Sequence, residues 1–201
     1  MNDDRVIVMA NVRSALQRSG RDPAPLPDWD DALVVSRPAR EYASNLDRFR
    51  DKLQTAGGIL LEGWDALRTF VGERGFKCGY VDPALRDFIP QWPADVSVQL
   101  DRASVDHYDF SVTRAAYGIA ESGSLVLSEA RTSSRLAALA PWTHIAVLDR
   151  AHLLGTLPEA IALLGSDRAT VFVTGPSKTA DVEGILIKGV HGPGVQVCCV
   201  V

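Results

Sequence analysis

Cysteine is scarce in this sequence. There are three in 201 residues: Cys78 stands alone, and Cys198 and Cys199 are adjacent. No CxxC spacing occurs, which excludes a zinc ribbon or an ordinary iron–sulfur cluster carried by this chain. Neighbouring residues of a strand point to opposite faces, so Cys198 and Cys199 are poorly placed to share a metal; buried structural thiols are expected. The four histidines, His107, His144, His152 and His191, show neither HxH nor HxxxH spacing, so no metal motif is present. Long apolar runs are also lacking. Val6–Ala10 is too short for a membrane span or a signal h-region, and a cytoplasmic location is expected. Nor is there a basic stripe: 21 Lys and Arg are interleaved with 25 Asp and Glu, for a net charge of -4. That excludes a dedicated nucleic-acid binder. No internal repeat or low-complexity tract is found.

What remains is ordinary globular material, 46% hydrophobic and 23% charged, long enough to bury a full core. Residues 1–56 read as an N-terminal helical extension with a Pro-rich linker, and residues 57–201 as an α/β domain. In the extension, Val8, Val12, Ala15 and Leu16 recur at helical spacing over Val6–Arg18, ahead of the Ser19-Gly20 stop. Pro23, Pro25 and Pro27 mark an extended linker. A second helix is predicted over Arg40–Ala56, with Tyr42, Leu46, Phe49 and Leu53 on one face. From Gly58 onward, short β-rich runs alternate with helical patterns. Strands are predicted at 59–61, 78–81, 96–100, 110–113, 124–127, 144–148, 170–173 and 195–201. Helices are predicted at 64–74, 84–89, 153–164 and 178–187. This alternation implies an α/β fold with a mostly parallel sheet flanked by helices. Ligands on such sheets bind at the carboxyl ends of the strands.

Two segments carry the candidate chemistry. In the first, Gly175, Pro176, Ser177, Lys178, Thr179 and Asp181 follow the apolar run that ends at Val173-Thr174. A strand, a turn and a helix N-terminus there would offer unpaired N–H groups, a dipole and a cation to an anionic ligand; a plain Ser or Thr cap is the alternative. In the second, Glu121, Ser122, Gly123 and Ser124 precede a buried strand. Glu121 is either a general base, nucleophile or hydroxyl acceptor, or a solvated turn residue. Arg135, in a helical pattern with Leu136 and Leu139, is a partner for Glu121 or an anion. His144 opens a strand, where a structural role is favoured. His191, with Gly192 behind it, sits between two glycine-containing turns and is balanced between function and structure. A Ser177–His191–Asp181 triad can be drawn, but no G-x-S-x-G supports it.

The ordered motifs Gly118–Leu127, Leu139–Val147 with Pro141 and His144, Thr174–Glu183, and Gly189-Val190-His191-Gly192-Pro193 resemble those of the LUD-domain family. The resemblance is strong from about Phe110 onward. It implies a fold like that of the glucosamine-6-phosphate deaminase and ribose-5-phosphate isomerase enzymes, the CoA transferases and 5-formyltetrahydrofolate cyclo-ligase. It also implies a component of L-lactate oxidation to pyruvate that binds a small anionic ligand and acts with iron–sulfur partner proteins. The clusters would belong to those partners. A stand-alone isomerase or acyl/CoA-transferase-like enzyme using Glu121, and a non-catalytic scaffold of an oxidoreductase complex, are the alternatives. The sequence departs from the family pattern at Lys178, where Arg is common, at Gly194, where a basic residue often stands, and at Ser122, where Thr is usual.

Overall fold

The computed structural model describes residues 3–18, 41–128, 130–164, 169–180 and 186–201. The chain divides into two compact units, Met1–Glu41 and Tyr42–Val201. In the first, α1 covers Asp3–Arg18, matching its predicted periodicity; the proline-bearing segment lies outside the described residues. The second unit contains α2 (Asn45–Thr55), β1 (Ile59–Glu62), α3 (Trp64–Glu73), β2 (Cys78–Val81), β3 (Asp95–Ser97), β4 (Phe110–Arg114) and β5 (Tyr117–Ile119). After these come β6 (Ser124–Ser128), α4 (Arg135–Leu139), β7 (Thr143–Leu148), β8 (Leu153–Leu154), α5 (Leu157–Leu164), β9 (Thr170–Val173), β10 (Lys178–Ala180), β11 (Leu186–Lys188) and β12 (Val195–Val200). Short 3-10 turns at Pro83–Phe88, Arg102–His107 and Arg150–His152 begin behind Asp82, Asp101 and Asp149. Each of these aspartates accepts an N–H two residues on, the side-chain cap that favours Asp at such starts.

Six strands form one parallel sheet in the order β1-β12-β7-β4-β2-β3. Its central strands β12, β7 and β4 are buried along nearly their whole length, as expected for a sheet covered on both faces. On one face Leu67 and Val71 of α3 pack with Leu85, Val112, Ile145, Val197 and Cys199. On the other, Phe49 and Leu53 of α2 pack with Leu125, Leu127, Ala146, Leu148 and Cys198. The second sheet, β8-β5-β6-β9, is mixed; Ile119 and Val126 pack with Ala160 of α5. The two neighbouring cysteines therefore do point into different cores. Burial pushes the Cys198 thiol well up and that of Cys199 to about 12, so both stay protonated and unreactive.

The structure corrects the sequence in one important place. No helix starts at Lys178. Instead β10 pairs antiparallel with β11, Lys178 opposite Lys188 and Thr179 opposite Ile187, and Gly189 N–H donates to the Ser177 carbonyl at 3.0 Å. The apolar spacing that suggested a helix is too short to separate helix from strand, and pairing with the returning segment decides it. Two predicted helices are also trimmed. Ser44, whose Oγ accepts from Asp47 N–H, starts α2 at Asn45. Leu153 and Leu154 pair with β5, leaving α5 to begin at Leu157.

Candidate functional site

The two motif segments meet at the C-terminal end of α2. Gly123 turns the β5–β6 hairpin with φ +68, and a Cβ there would lie 2.3 Å from the Leu53 nitrogen. Gly175 has φ +71, and its Cβ would lie 2.5 Å from the Ala56 carbonyl oxygen. Both positions therefore need glycine for conformation and for space. Lys178 Nζ donates to the same Ala56 carbonyl, placing a cation on the negative end of the helix. Between them runs a chain of hydroxyls: Ser122 Oγ to Ser124 Oγ at 2.8 Å, and Ser124 Oγ to Thr174 Oγ1 at 2.6 Å. Ser177 closes the arrangement from the other side. Its N–H donates to the Pro193 carbonyl at 2.8 Å, and its Oγ accepts from His191 N–H at 3.3 Å. Gly192 lies against it, its would-be Cβ 3.4 Å from Ser177 Cβ.

Other predicted site residues are not part of this group. The Glu121 carboxylate accepts from Leu157 N–H at 2.6 Å, at the first residue of α5, where an anion complements the exposed donors and dipole. Arg135 is exposed at the first position of α4, and no ion pair joins it to Glu121. The His191 side chain is exposed, Pro176 is buried and Thr179 lies in β10. Asp181 lies outside the described residues, as does any triad through it. The dipole argument for an anion at Ser177 lapses with the helix. Gly194 also has a physical reason to depart from the family pattern: a Cβ there would lie 2.3 Å from the Trp142 ring.

His144 is fully buried among three strands. Its Nε2 meets Thr113 Oγ1 at 2.9 Å and its Nδ1 meets Gln196 Oε1 at 2.9 Å. The amide oxygen can only accept, so the proton sits on Nδ1 and Nε2 accepts the threonine hydroxyl. Burial lowers its pKa to about 4, keeping the ring neutral at physiological pH. This is a satisfied core histidine, in line with the structural role favoured from its strand position.

The cleft across the carboxyl ends of the parallel strands holds chemistry that sequence reading missed. It encloses about 550 Å³ and lies where α/β sheets bind ligands. Arg114 ends β4, and its Nε donates to Asp82 Oδ2 at 3.0 Å. Asp82 is 1% exposed while Arg114 is 43% exposed, so a buried carboxylate anchors through Nε the guanidinium of an arginine that lines the cleft. Arg131 Nη1 donates to His152 Nε2 at 3.0 Å and its guanidinium lies 5.5 Å from the Tyr117 ring centroid, a cation–π contact. His152 Nδ1 in turn lies 4.0 Å from Asp149 Oδ2. Trp64 and Phe88 supply an apolar side. The only sequence signals were basic residues at a strand end and in a following loop, and neither has a motif. Among the described residues, no group of three His, Cys, Asp or Glu side chains is placed to hold a metal ion, and no helix is long and apolar enough to cross a membrane.

A parallel central sheet flanked by helices, with an arginine-bearing cleft at its strand ends, defines an α/β protein. Residues 66–201 match the LUD domain, and the chain belongs to the LUD-domain family. The lactate utilization protein C of Halalkalibacterium halodurans is 28% identical over 161 residues, covering 75% of this chain and 69% of that protein. That of Bacillus pumilus is 28% identical over 113 residues, covering 52% and 47%, and that of Bacillus subtilis 30% identical over 111 residues, covering 51% and 46%. The chain thus spans about half the length of two of these relatives. In fold it is similar to the crystal structure of a DUF162 family protein from Deinococcus radiodurans, with TM-score 0.56 and 22% identity over 78% of this chain and 96% of that one.

Proposed function

We propose that this chain is a component of L-lactate utilization, the oxidation of L-lactate to pyruvate. In that role it binds a small anionic ligand and acts with iron–sulfur partner proteins. Membership of the LUD-domain family and the names of its relatives support the pathway. The observation that carries the ligand is Arg114, anchored through Nε by a buried carboxylate beside Arg131 in a cleft at the strand ends. Two guanidinium groups presented this way recognise a carboxylate or phosphate. The clusters are assigned to the partners because the cysteines here do not converge: Cys198 and Cys199 face different cores, and the Cys78 thiol donates to the His107 carbonyl.

An isomerase or acyl-transferase reading with Glu121 as base or nucleophile is less well supported, since that carboxylate caps α5. The test is genetic and biochemical. Deleting the gene should abolish growth on L-lactate as carbon source while leaving growth on pyruvate intact. The wild-type gene should restore growth, and Arg114→Gln should not. Unimpaired growth of the deletion strain on L-lactate would overturn the assignment.

A further inference from the structure

The cleft is larger than a three-carbon acid needs. At about 550 Å³ it falls in the range of pockets that enclose ligands of roughly 300–1,000 Å³. Its surface is also two-sided in chemistry. Arg114 and Arg131 supply the charge. Trp64, the first residue of α3, and Phe88, the last of the Pro83–Phe88 turn, supply two rings whose centroids lie 4.6 Å apart at 14°. Trp64 supports Phe88 in this stack, yet Phe88 remains 56% exposed. A large aromatic side chain held rigidly and left uncovered at a cleft that also bears two guanidinium groups is a ready stacking surface for a flat ligand.

We infer that the ligand of this cleft is an anion covalently joined to a planar aromatic ring, its carboxylate or phosphate on Arg114 and Arg131 and its ring on Phe88. The inference rests on the anion reading of the cleft given above and adds the ring. A bare 2-hydroxy or 2-oxo acid would satisfy the arginines and leave the aromatic side empty. A ring-bearing anion uses both.

Two matched pairs of probes test this by calorimetric titration of the full chain. Phenylpyruvate against pyruvate varies the ring on a carboxylate; adenosine monophosphate against ribose 5-phosphate varies it on a phosphate. In at least one pair the ring-bearing member should bind about tenfold or more tightly than its ring-free partner. Phe88→Ala should remove that advantage while leaving ring-free affinity in place, and Phe88→Leu, which keeps apolar volume but no ring, should behave the same way. Arg114→Gln should weaken both members of the pair. The pair that shows the advantage identifies the anionic group. Equal affinities within both pairs, or an advantage that survives Phe88→Ala and Phe88→Leu, would overturn the ring while leaving the anion reading intact. Failure of all four probes to bind would remove both.

Discussion

Replacing His144 with glutamine isolates one buried titration from every other in the chain. Glutamine can still accept from Thr113 and donate to Gln196, so the local network has a route to survive, but it has no proton to gain. In the native protein the His144 pKa is lowered to about 4 from its ordinary 6.5, chiefly because burial penalises the charged ring. The sign follows from proton counting. Above pH 6.5 neither the folded nor the unfolded chain protonates this group, and it contributes no pH dependence. Between 6.5 and 4 the unfolded chain takes up a proton that the folded chain refuses, so stability falls as pH falls. The loss is about 1.4 kcal/mol at pH 5.5 and about 2.6 kcal/mol at pH 4.5. Urea unfolding of both proteins by circular dichroism from pH 7.5 to 4.5 measures it. All other titrating groups are shared, so the stability of the variant relative to wild type should rise by these amounts on acidification, whatever the variant costs at neutral pH. A difference that stays flat across the range would refute the argument, as would an imidazole resonance of His144 titrating near 6.5.

Four further outcomes follow from named contacts. Gly123→Ala should destabilise by about 2–4 kcal/mol, because it adds a Cβ against the α2 backbone at a positive φ; an unchanged melting temperature would show that the hairpin yields freely. Ser124→Ala breaks the hydroxyl chain to Thr174 and should cost about 1 kcal/mol in chemical denaturation, with no loss if Thr174 finds another partner. Glu121→Ala removes the acceptor at the start of α5 and should cost about 1 kcal/mol of stability; a catalytic Glu121 would instead show itself as lost turnover with an unaltered melt. Asp82→Asn weakens the anchor of Arg114. Because that arginine is 43% exposed and its charge is screened, the stability cost should be only about 1 kcal/mol, but titrated anions should bind several-fold less tightly. Unchanged anion affinity would separate Arg114 from the ligand.

Much of the architecture was legible because strand formation here is locally encoded. Phe110–Arg114, Thr143–Leu148 and Val195–Val200 are β-rich runs bounded by polar or Pro/Gly segments, and each is a strand of the parallel sheet. The opposite facing of Cys198 and Cys199 follows from the two-residue period of a strand alone. The two motif segments, distant in sequence, are adjacent in space: Gly123, Ser124, Thr174, Gly175 and Lys178 gather at the end of α2. These residues make their contacts with α2 and with one another.

Tertiary structure alone decided three things. Lys178–Ala180 became a strand paired with Leu186–Lys188 because backbone pairing outweighs a weak helical spacing. His144 acquired its low pKa from burial among strands contributed by residues 31 and 52 positions away, which no local pattern announces. The cleft was assembled from side chains on separate elements: Asp82 and Arg114, Arg131 and His152, Trp64 and Phe88. The amino-acid sequence specified the strands of the parallel sheet and the family. The chemistry of the strand ends arises only when the parallel sheet brings those distant residues to one edge.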